Sequence, residues 1–400
     1  MNEQLIVKNF GPIKDAIVDF KRVTVFIGPT GGGKSTLAKL AAIFRAGDVT
    51  LSNNTASITT ALASYSMTSY KNDDSLITWR KKSGHSLTID NKDEIGVRLS
   101  DINTRKDITD KYLQQQYNDF IRNPNINAIL NNSSKKQRED FKRTFIKQFK
   151  ESHIKSTYQV LFPRDETTYI PAERQIVFAL NQLWPSLIEG KADLSTILLK
   201  FTQIFLQAST SAKLIEIPFL SASYNYDELG GHIRINDSEV PIPESSSGFQ
   251  SVIPLLATIE FIHTKHNKSF IIEEPELNLY PTAQQGLLNW LVEKCTKGEN
   301  DLTLTTHSPY ILSHLNLLLY AYQVAEKHPD RREAVAAIVP EASWINPKEF
   351  ACYQVENGGV QSLVDEELGL IDNNELDGLS GDAADAFDNL IRLSKGFAIK

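Results

Sequence analysis

Three short stretches of this sequence hold residue types whose spacing suits phosphate chemistry. Gly28-Pro29-Thr30-Gly31-Gly32-Gly33-Lys34-Ser35 fits the pattern G-x-x-x-x-G-K-[ST]. Glycines let successive backbone N–H groups turn inward around phosphate oxygens, and the N-terminus of a following helix adds a favourable field. In such a loop Lys34 reaches the β- and γ-phosphates and Ser35 ligates Mg²⁺, with Thr36 counted among the nucleotide-binding residues. Farther along, Phe270-Ile271-Ile272-Glu273-Glu274 is an apolar run that delivers two carboxylates to its end. Glu273 suits the Mg²⁺ shell, and Glu274 suits positioning or activating an attacking water. The third stretch, Thr305-Thr306-His307-Ser308-Pro309, ends another apolar run with a histidine that can contact a γ-phosphate. Alone, each has a plainer reading: a glycine turn, a solvated acidic turn, a structural histidine. Together they predict a site for ATP and Mg²⁺, with Lys34, Glu274 and His307 as the catalytic set.

These residues need elements to hold them. Val23-Thr24-Val25-Phe26-Ile27 is nearly all apolar and β-branched, as a strand buried on both faces would be. It leads into the glycine loop, after which Leu37, Leu40, Ala41 and Phe44 recur at helical spacing. Before it, two apolar-polar stretches around Gly11-Pro12 predict short antiparallel strands. Phe270–Ile272 and Leu302–Thr306 predict strands, each followed by a helical pattern, near Thr282–Lys294 and Ile311–Ala325. Strands alternating with helices indicate an α/β fold. Ser245-Ser246-Ser247-Gly248-Phe249-Gln250 opens a helical pattern with serines suited to N-capping, and Pro254 should disturb that helix. A further helix is expected near Val177–Ile188. Between about residues 49 and 164 the character changes. Leu76–Trp79 and His85–Ile89 read as hairpin strands, and residues 100–155 as polar and mostly helical.

Composition bounds the rest. At 400 residues, with 41% hydrophobic and 23% charged residues, the chain has ordinary globular composition. Two distant cysteines, Cys295 and Cys352, have no metal-ligand spacing, which argues against a disulfide framework. Neither a signal peptide nor an apolar run of membrane-spanning length is evident, so the expectation is a cytoplasmic protein with no membrane partner. A net charge of −7 does not mark the whole molecule as a nucleic-acid binder. The segment Lys135–Lys155, however, holds eight Lys/Arg against three acids. It reads as a solvated helix face or as a contact for nucleic acid.

The order of these motifs resembles the SMC-like branch of the ABC-type ATPases. In particular Glu273–Gln284, EEPELNLYPTAQ, is similar to a block found in OLD-family ATPases and in the ATPase subunits of the Septu and PARIS antiphage systems. The resemblance implies an ABC-type P-loop fold with a largely parallel core sheet and an antiparallel β subdomain; the polar stretch after residue 48, which it does not cover, reads as an inserted, mostly helical region. Residues 1–48 and 165–360 would form the ATPase domain, 49–164 the insertion, and 361–400 an acidic helical tail containing Ala384, Phe387, Leu390 and Ile391. It also implies self-association, in which Ser247 and Gly248 reach the γ-phosphate held by a second protomer. Arg174, in Tyr169-Ile170-Pro171-Ala172-Glu173-Arg174, would lie near the nucleotide or a partner interface. The resemblance further implies a regulator of a separate effector, a nuclease or toxin, because the chain lacks room for the Toprim domain of OLD nucleases. The alternative is a DNA-repair or chromosome-maintenance ATPase that acts on DNA directly.

Overall fold

The computed structural model describes residues 3–47, 50–52, 55–90, 95–98, 117–122, 134–146, 148, 166–178, 195–211, 214–227, 230–263, 268–372 and 390–391. The chain begins with β1 (Glu3–Phe10), β2 (Ile13–Phe20), β3 (Val23–Ile27) and helix α1 (Lys34–Ala46). A short pair, β4 (Thr50–Ser52) and β5 (Thr55–Ser57), precedes α2 (Ile58–Ser64), β6 (Leu76–Arg80), β7 (Ser86–Ile89) and β8 (Ile95–Arg98). Next come β9 (Glu166–Ile170), α3 (Thr196–Ser211), β10 (Leu214–Ile217), β11 (Ala222–Asp227), β12 (Gly230–Ile235) and β13 (Ser238–Pro241). Then follow α4 (Ser247–Ile262), β14 (Lys268–Glu273), α5 (Pro281–Cys295) and β15 (Asp301–Thr305). The last elements are α6 (Pro309–Lys327), α7 (Arg332–Ile338), β16 (Phe350–Glu356) and β17 (Gly359–Ser362).

The chain folds into two compact units. The first comprises Met1–Asp19, Ile43–Ala63 and Met67–Asp165. It contains a five-stranded sheet in the order β2-β1-β6-β7-β8. The strands predicted near 76–79 and 85–89 are present as β6 and β7, and they extend the N-terminal hairpin: β1 pairs antiparallel with β6, Leu5 opposite Trp79. Alternation in β1 buries Leu5 and Val7, and the Phe44 ring stacks on Trp79 with centroids 5.7 Å apart. The start of β1 carries a buried ion cluster in which Glu3 lies 3.0 Å from Arg45 and 3.2 Å from Lys81. Burial alone would raise the Glu3 carboxyl, but the two cations outweigh it and hold the group below the usual carboxylate range. Residues 117–122, 134–146 and 148, the described part of the expected helical arm, are helical except for the ends at Arg122 and Ser134. The Phe120 ring packs on Phe145 at 4.4 Å between centroids.

The second unit comprises Phe20–Ala42, Ser64–Ser66 and Glu166–Lys400. Its main sheet runs in the order β17-β16-β3-β15-β14-β9. All neighbours are parallel except β16 and β17. β3 and β14 are buried along their whole length, which explains why Val23–Ile27 and Phe270–Ile272 read as nearly continuous apolar runs rather than alternating ones. Helices α5 and α6 make the crossovers from β14 to β15 and from β15 to β16. The core gathers Val25, Ile27, Phe270 and Ile272 with Val252, Leu256, Leu287 and Leu315 from the helices. A second sheet, β10-β11-β12-β13, is an antiparallel meander. The fold is therefore α/β: the second unit has a mixed, largely parallel core sheet and an antiparallel meander, and the first unit has an antiparallel sheet of its own.

Two local expectations need correction. Helix α4 continues through Pro254 without a break. A proline removes one backbone hydrogen bond, but Val252, Ile253, Leu255 and Leu256 around it are fully buried, and that packing holds the helix. Ser246 occupies the N-cap position of α4 yet makes no capping bond. Ser245 instead donates its hydroxyl to Ile242 O at 2.7 Å. Of the helix expected near Val177–Ile188 only Val177 and Phe178 are described, and both are helical. Ala384 and Phe387 of the expected tail helix lie outside the described residues, whereas Leu390 and Ile391 are helical.

Candidate nucleotide-binding and hydrolysis site

The parallel register brings the three motifs together. Leu304 pairs with Ile272 on one side and with Val25 on the other, and Thr305 with Glu273 and Phe26. β3, β14 and β15 thus end level, so Gly28, Glu274 and Thr306-His307 emerge at one edge of the sheet. That carboxyl edge is where open α/β sheets bind ligands.

The glycine loop leaves β3 in a conformation that side chains do not adopt. Gly28 has φ +136°, and a Cβ there would lie 2.3 Å from Val355 O. One added at Gly32 would lie 2.4 Å from the same oxygen, because the neighbouring strand β16 passes directly behind the loop. Pro29, Thr30 and Gly31 are exposed, Gly32 and Ser35 half-buried, Gly33, Lys34 and Thr36 buried. Lys34, the first residue of α1, donates from Nζ to Gly28 O at 2.9 Å and Pro29 O at 3.0 Å. Burial lowers its pKa, opposed by the field of Glu274, Glu273 and Glu276.

The carboxylates at the end of β14 differ in their surroundings. Glu273 is buried, and its Oε1 has no hydrogen-bond partner. Burial holds its carboxyl above the usual range, although Lys39 and the nearby Ser35 and Tyr169 hydroxyls draw it down. Glu274 has φ +41°, left-handed backbone that a residue with a side chain adopts only when its surroundings impose it. Its N–H donates to Thr305 O at 2.9 Å. Its carboxylate lies half-exposed, Oε1 3.2 Å from His307 Nε2. The hydrogen bond to His307 is the main cause that keeps the Glu274 carboxyl below its ordinary pKa, against partial burial.

Two residues beneath this edge complete it. Glu276 is buried; its Oε1 accepts from Thr306 Oγ1 at 2.6 Å and from His307 N at 3.0 Å, which sets the backbone that carries His307. Burial raises its carboxyl above the usual range. Gln284 accepts from Ser308 Oγ at 2.5 Å and donates to Leu279 O, tying α5 to the same turn. Only the spacing of Glu276 and Gln284 within EEPELNLYPTAQ marks them in the sequence. Arg174 is fully buried, and its guanidinium bonds the carbonyls of Glu273, Glu274 and Pro275. Burial pulls its pKa down to about 10, so it stays charged at neutral pH.

The donors at this edge fit Mg²⁺. The cation prefers oxygen ligands and keeps phosphate oxygens in its shell, and the unpartnered, buried Oε1 of Glu273 beside Ser35 offers such an oxygen. Among the described residues no group of three or more His, Cys, Asp and Glu forms a self-sufficient metal site. Ser247 and Gly248 begin α4, with Ser247 exposed. A Cβ on Gly248 would lie 3.0 Å from Asn278 O, so the start of α4 touches the loop that follows Glu274. Among the described residues Ser247 shares no hydrogen bond with Lys34, Glu274 or His307. No described helix is long and apolar enough to cross a membrane.

Fold and edge define the class of a P-loop ATPase. Residues 1–312 match the AAA ATPase domain family, and the chain belongs to that family. No curated protein matches it. Among solved structures it is similar to the SMC head domain from Thermotoga maritima, at 11% identity and a TM-score of 0.39, covering 90% of this chain and 98% of that one. It is also similar to an SMC head bound to the C-terminal winged-helix domain of ScpA, at 9% identity and TM-score 0.42, covering 90% and 96%. A Pyrococcus furiosus SMC head with an extended coiled coil, bound to the C-terminal domain of ScpA, gives 12% identity and TM-score 0.35, covering 90% and 94%.

Proposed function

We propose that this chain binds ATP with Mg²⁺ at residues 28–36 and hydrolyses it to ADP and phosphate. The observation that carries the reading is the level ending of β3, β14 and β15, which sets the glycine loop, Glu274 and His307 on one edge. Lys34 exchanges its two carbonyl acceptors for β- and γ-phosphate oxygens. Ser35 and Glu273 would hold Mg²⁺, which would supply positive charge beside those oxygens. Glu274, kept ionised by His307, takes a proton from the attacking water. As the water oxygen bonds to the γ-phosphorus, the bond to the β-phosphate oxygen breaks and ADP leaves. His307 orients Glu274 and contacts the γ-phosphate.

The same reading places ATP between two protomers, Ser247 and Gly248 of one facing the nucleotide of the other. ATP holds the pair closed and hydrolysis releases it. Its output is regulation of a separate effector, a nuclease or toxin, in a bacterial antiphage defence system, and the support is the resemblance of Glu273–Gln284 to the OLD, Septu and PARIS ATPases. A second output, direct action on DNA, is favoured by the exposed basic helix that includes Lys135, Lys136, Arg138 and Arg143. Titration with a fluorescent ATP analogue and Mg²⁺ tests the site: the protein should bind, and Lys34→Ala should lose at least about 100-fold in affinity, roughly 2.7 kcal/mol. Equal binding by Lys34→Ala would remove the loop from the account. DNA binding that falls steeply with salt and weakens in Lys136→Ala/Arg143→Ala would move the output to DNA.

A further inference from the structure

Arg174 joins two elements that carry different parts of the proposed reaction. Its Nε donates to Ser251 O in α4 at 2.8 Å. Its Nη1 donates to Pro171 O at 3.2 Å and Glu273 O at 2.8 Å, and its Nη2 to Glu274 O at 2.8 Å and Pro275 O at 3.1 Å. An arginine has five N–H donors in one rigid fork, and here five bonds use them. Every acceptor is a backbone carbonyl. The fork therefore fixes where main chain lies rather than pairing with any side chain. Ser251 is one helical turn beyond Ser247, and Glu273–Pro275 is the loop whose middle residue sits at φ +41°. Left-handed backbone at a glutamate needs an external restraint, and two bonds from one nitrogen to Glu274 O and Pro275 O provide it.

We propose that Arg174 is a positioning residue that ties the placement of Glu274 to the placement of the α4 N-terminus. When Ser247 and Gly248 engage a nucleotide held by a second copy of this chain, the position of α4 is transmitted through Ser251 O and the guanidinium to the loop carrying Glu274. Hydrolysis is thereby linked to self-association. The functional part rests on the reading of Glu274 as the base and of Ser247–Gly248 as a contact in trans; the mechanical tie between α4 and the loop does not.

Arg174→Lys tests it, because an ammonium keeps the charge but offers three donors and cannot span all the acceptors. The variant should bind ATP within about twofold of the parent, since Lys34 and the glycine loop are untouched. Its kcat should fall on the order of 10²-fold, the loss typical of a misplaced catalytic group. Turnover per protomer should rise with protein concentration in the parent and stay flat in the variant. A purely stabilising arginine would lower Tm and leave kcat per folded molecule unchanged, so a folded Arg174→Lys with parental kcat and concentration dependence overturns the proposal.

Hydrogen exchange on the parent protein without nucleotide gives a second measurement that needs no variant to fold. Amides of 249–253, 255, 272–274, 276 and 277 should open with one shared free energy. Separate opening energies overturn the tie whatever the activity shows. If the parent hydrolyses no ATP, the functional reading fails, and the exchange result alone decides on Arg174.

Discussion

Glu273 and Glu274 are neighbours in the chain and opposites in electrostatics. Burial pushes the first carboxyl up, and His307 holds the second down, so one strand end presents two carboxylates suited to different tasks. Between the unfolded pKa of Glu273 and its raised folded value, the folded protein holds the extra proton. The stability that Glu273 contributes is thus complete below the unfolded value and lost as pH rises through the folded one. Glu273→Gln should therefore raise Tm at about pH 7.5 in thermal melts without nucleotide, and that gain should vanish near pH 4. The same variant should lose the Mg²⁺-dependent part of nucleotide binding. A Tm gain that did not shrink on acidification would remove burial of the charge as its cause. At Gly32 backbone space decides. An added methyl would meet Val355 O at 2.4 Å, so Gly32→Ala should destabilise the protein by about 1–3 kcal/mol in denaturant melts and weaken ATP binding.

Among the elements, the pairing of β1 with β6 makes the first unit a sheet assembled from distant segments. Trp79, fully buried and stacked on Phe44, fastens it. Trp79→Ala should cost about 3–5 kcal/mol of unfolding free energy, read from a urea melt. Local signals made some elements readable in the sequence and left others hidden. β3 and the Phe270–Ile272 part of β14 stand out because strands buried on both faces are largely apolar, and α5 and α6 open at Pro281 and Pro309, which suit a first helical turn. The glycine loop and both carboxylates were legible for the same reason, since they end such strands. Sheet partnership was not, because the register between residues 4–8 and 76–80 is a long-range matter that no window of sequence contains. Phe141 and Phe145, four residues apart in a basic stretch, pack on Phe120, yet the surrounding charges hid that apolar face. The bonds of Arg174 were not legible because its acceptors are backbone carbonyls, which carry no sequence signature.

For the molecule as a whole, the proposed function has each nucleotide completed by a second copy. Ser247 is exposed at the start of α4, so Ser247→Arg should leave ATP affinity intact, abolish ATP-dependent self-association in light scattering, and lower turnover by about tenfold or more. Mixing it with Lys34→Ala should restore activity that neither has alone, because the mixed pair holds one site with a sound loop and a sound Ser247. No recovery in the mixture would argue for a site complete within one chain. The most direct test of the central claim is phosphate release by Glu274→Gln beside the parent protein, with ATP affinity measured on both. ATP binding should be unchanged and release slower by about 10²–10⁴-fold, the range for loss of a general base. Release at the parental rate would contradict the central claim, since the edge where Lys34, Glu274 and His307 meet would then not be where ATP is hydrolysed.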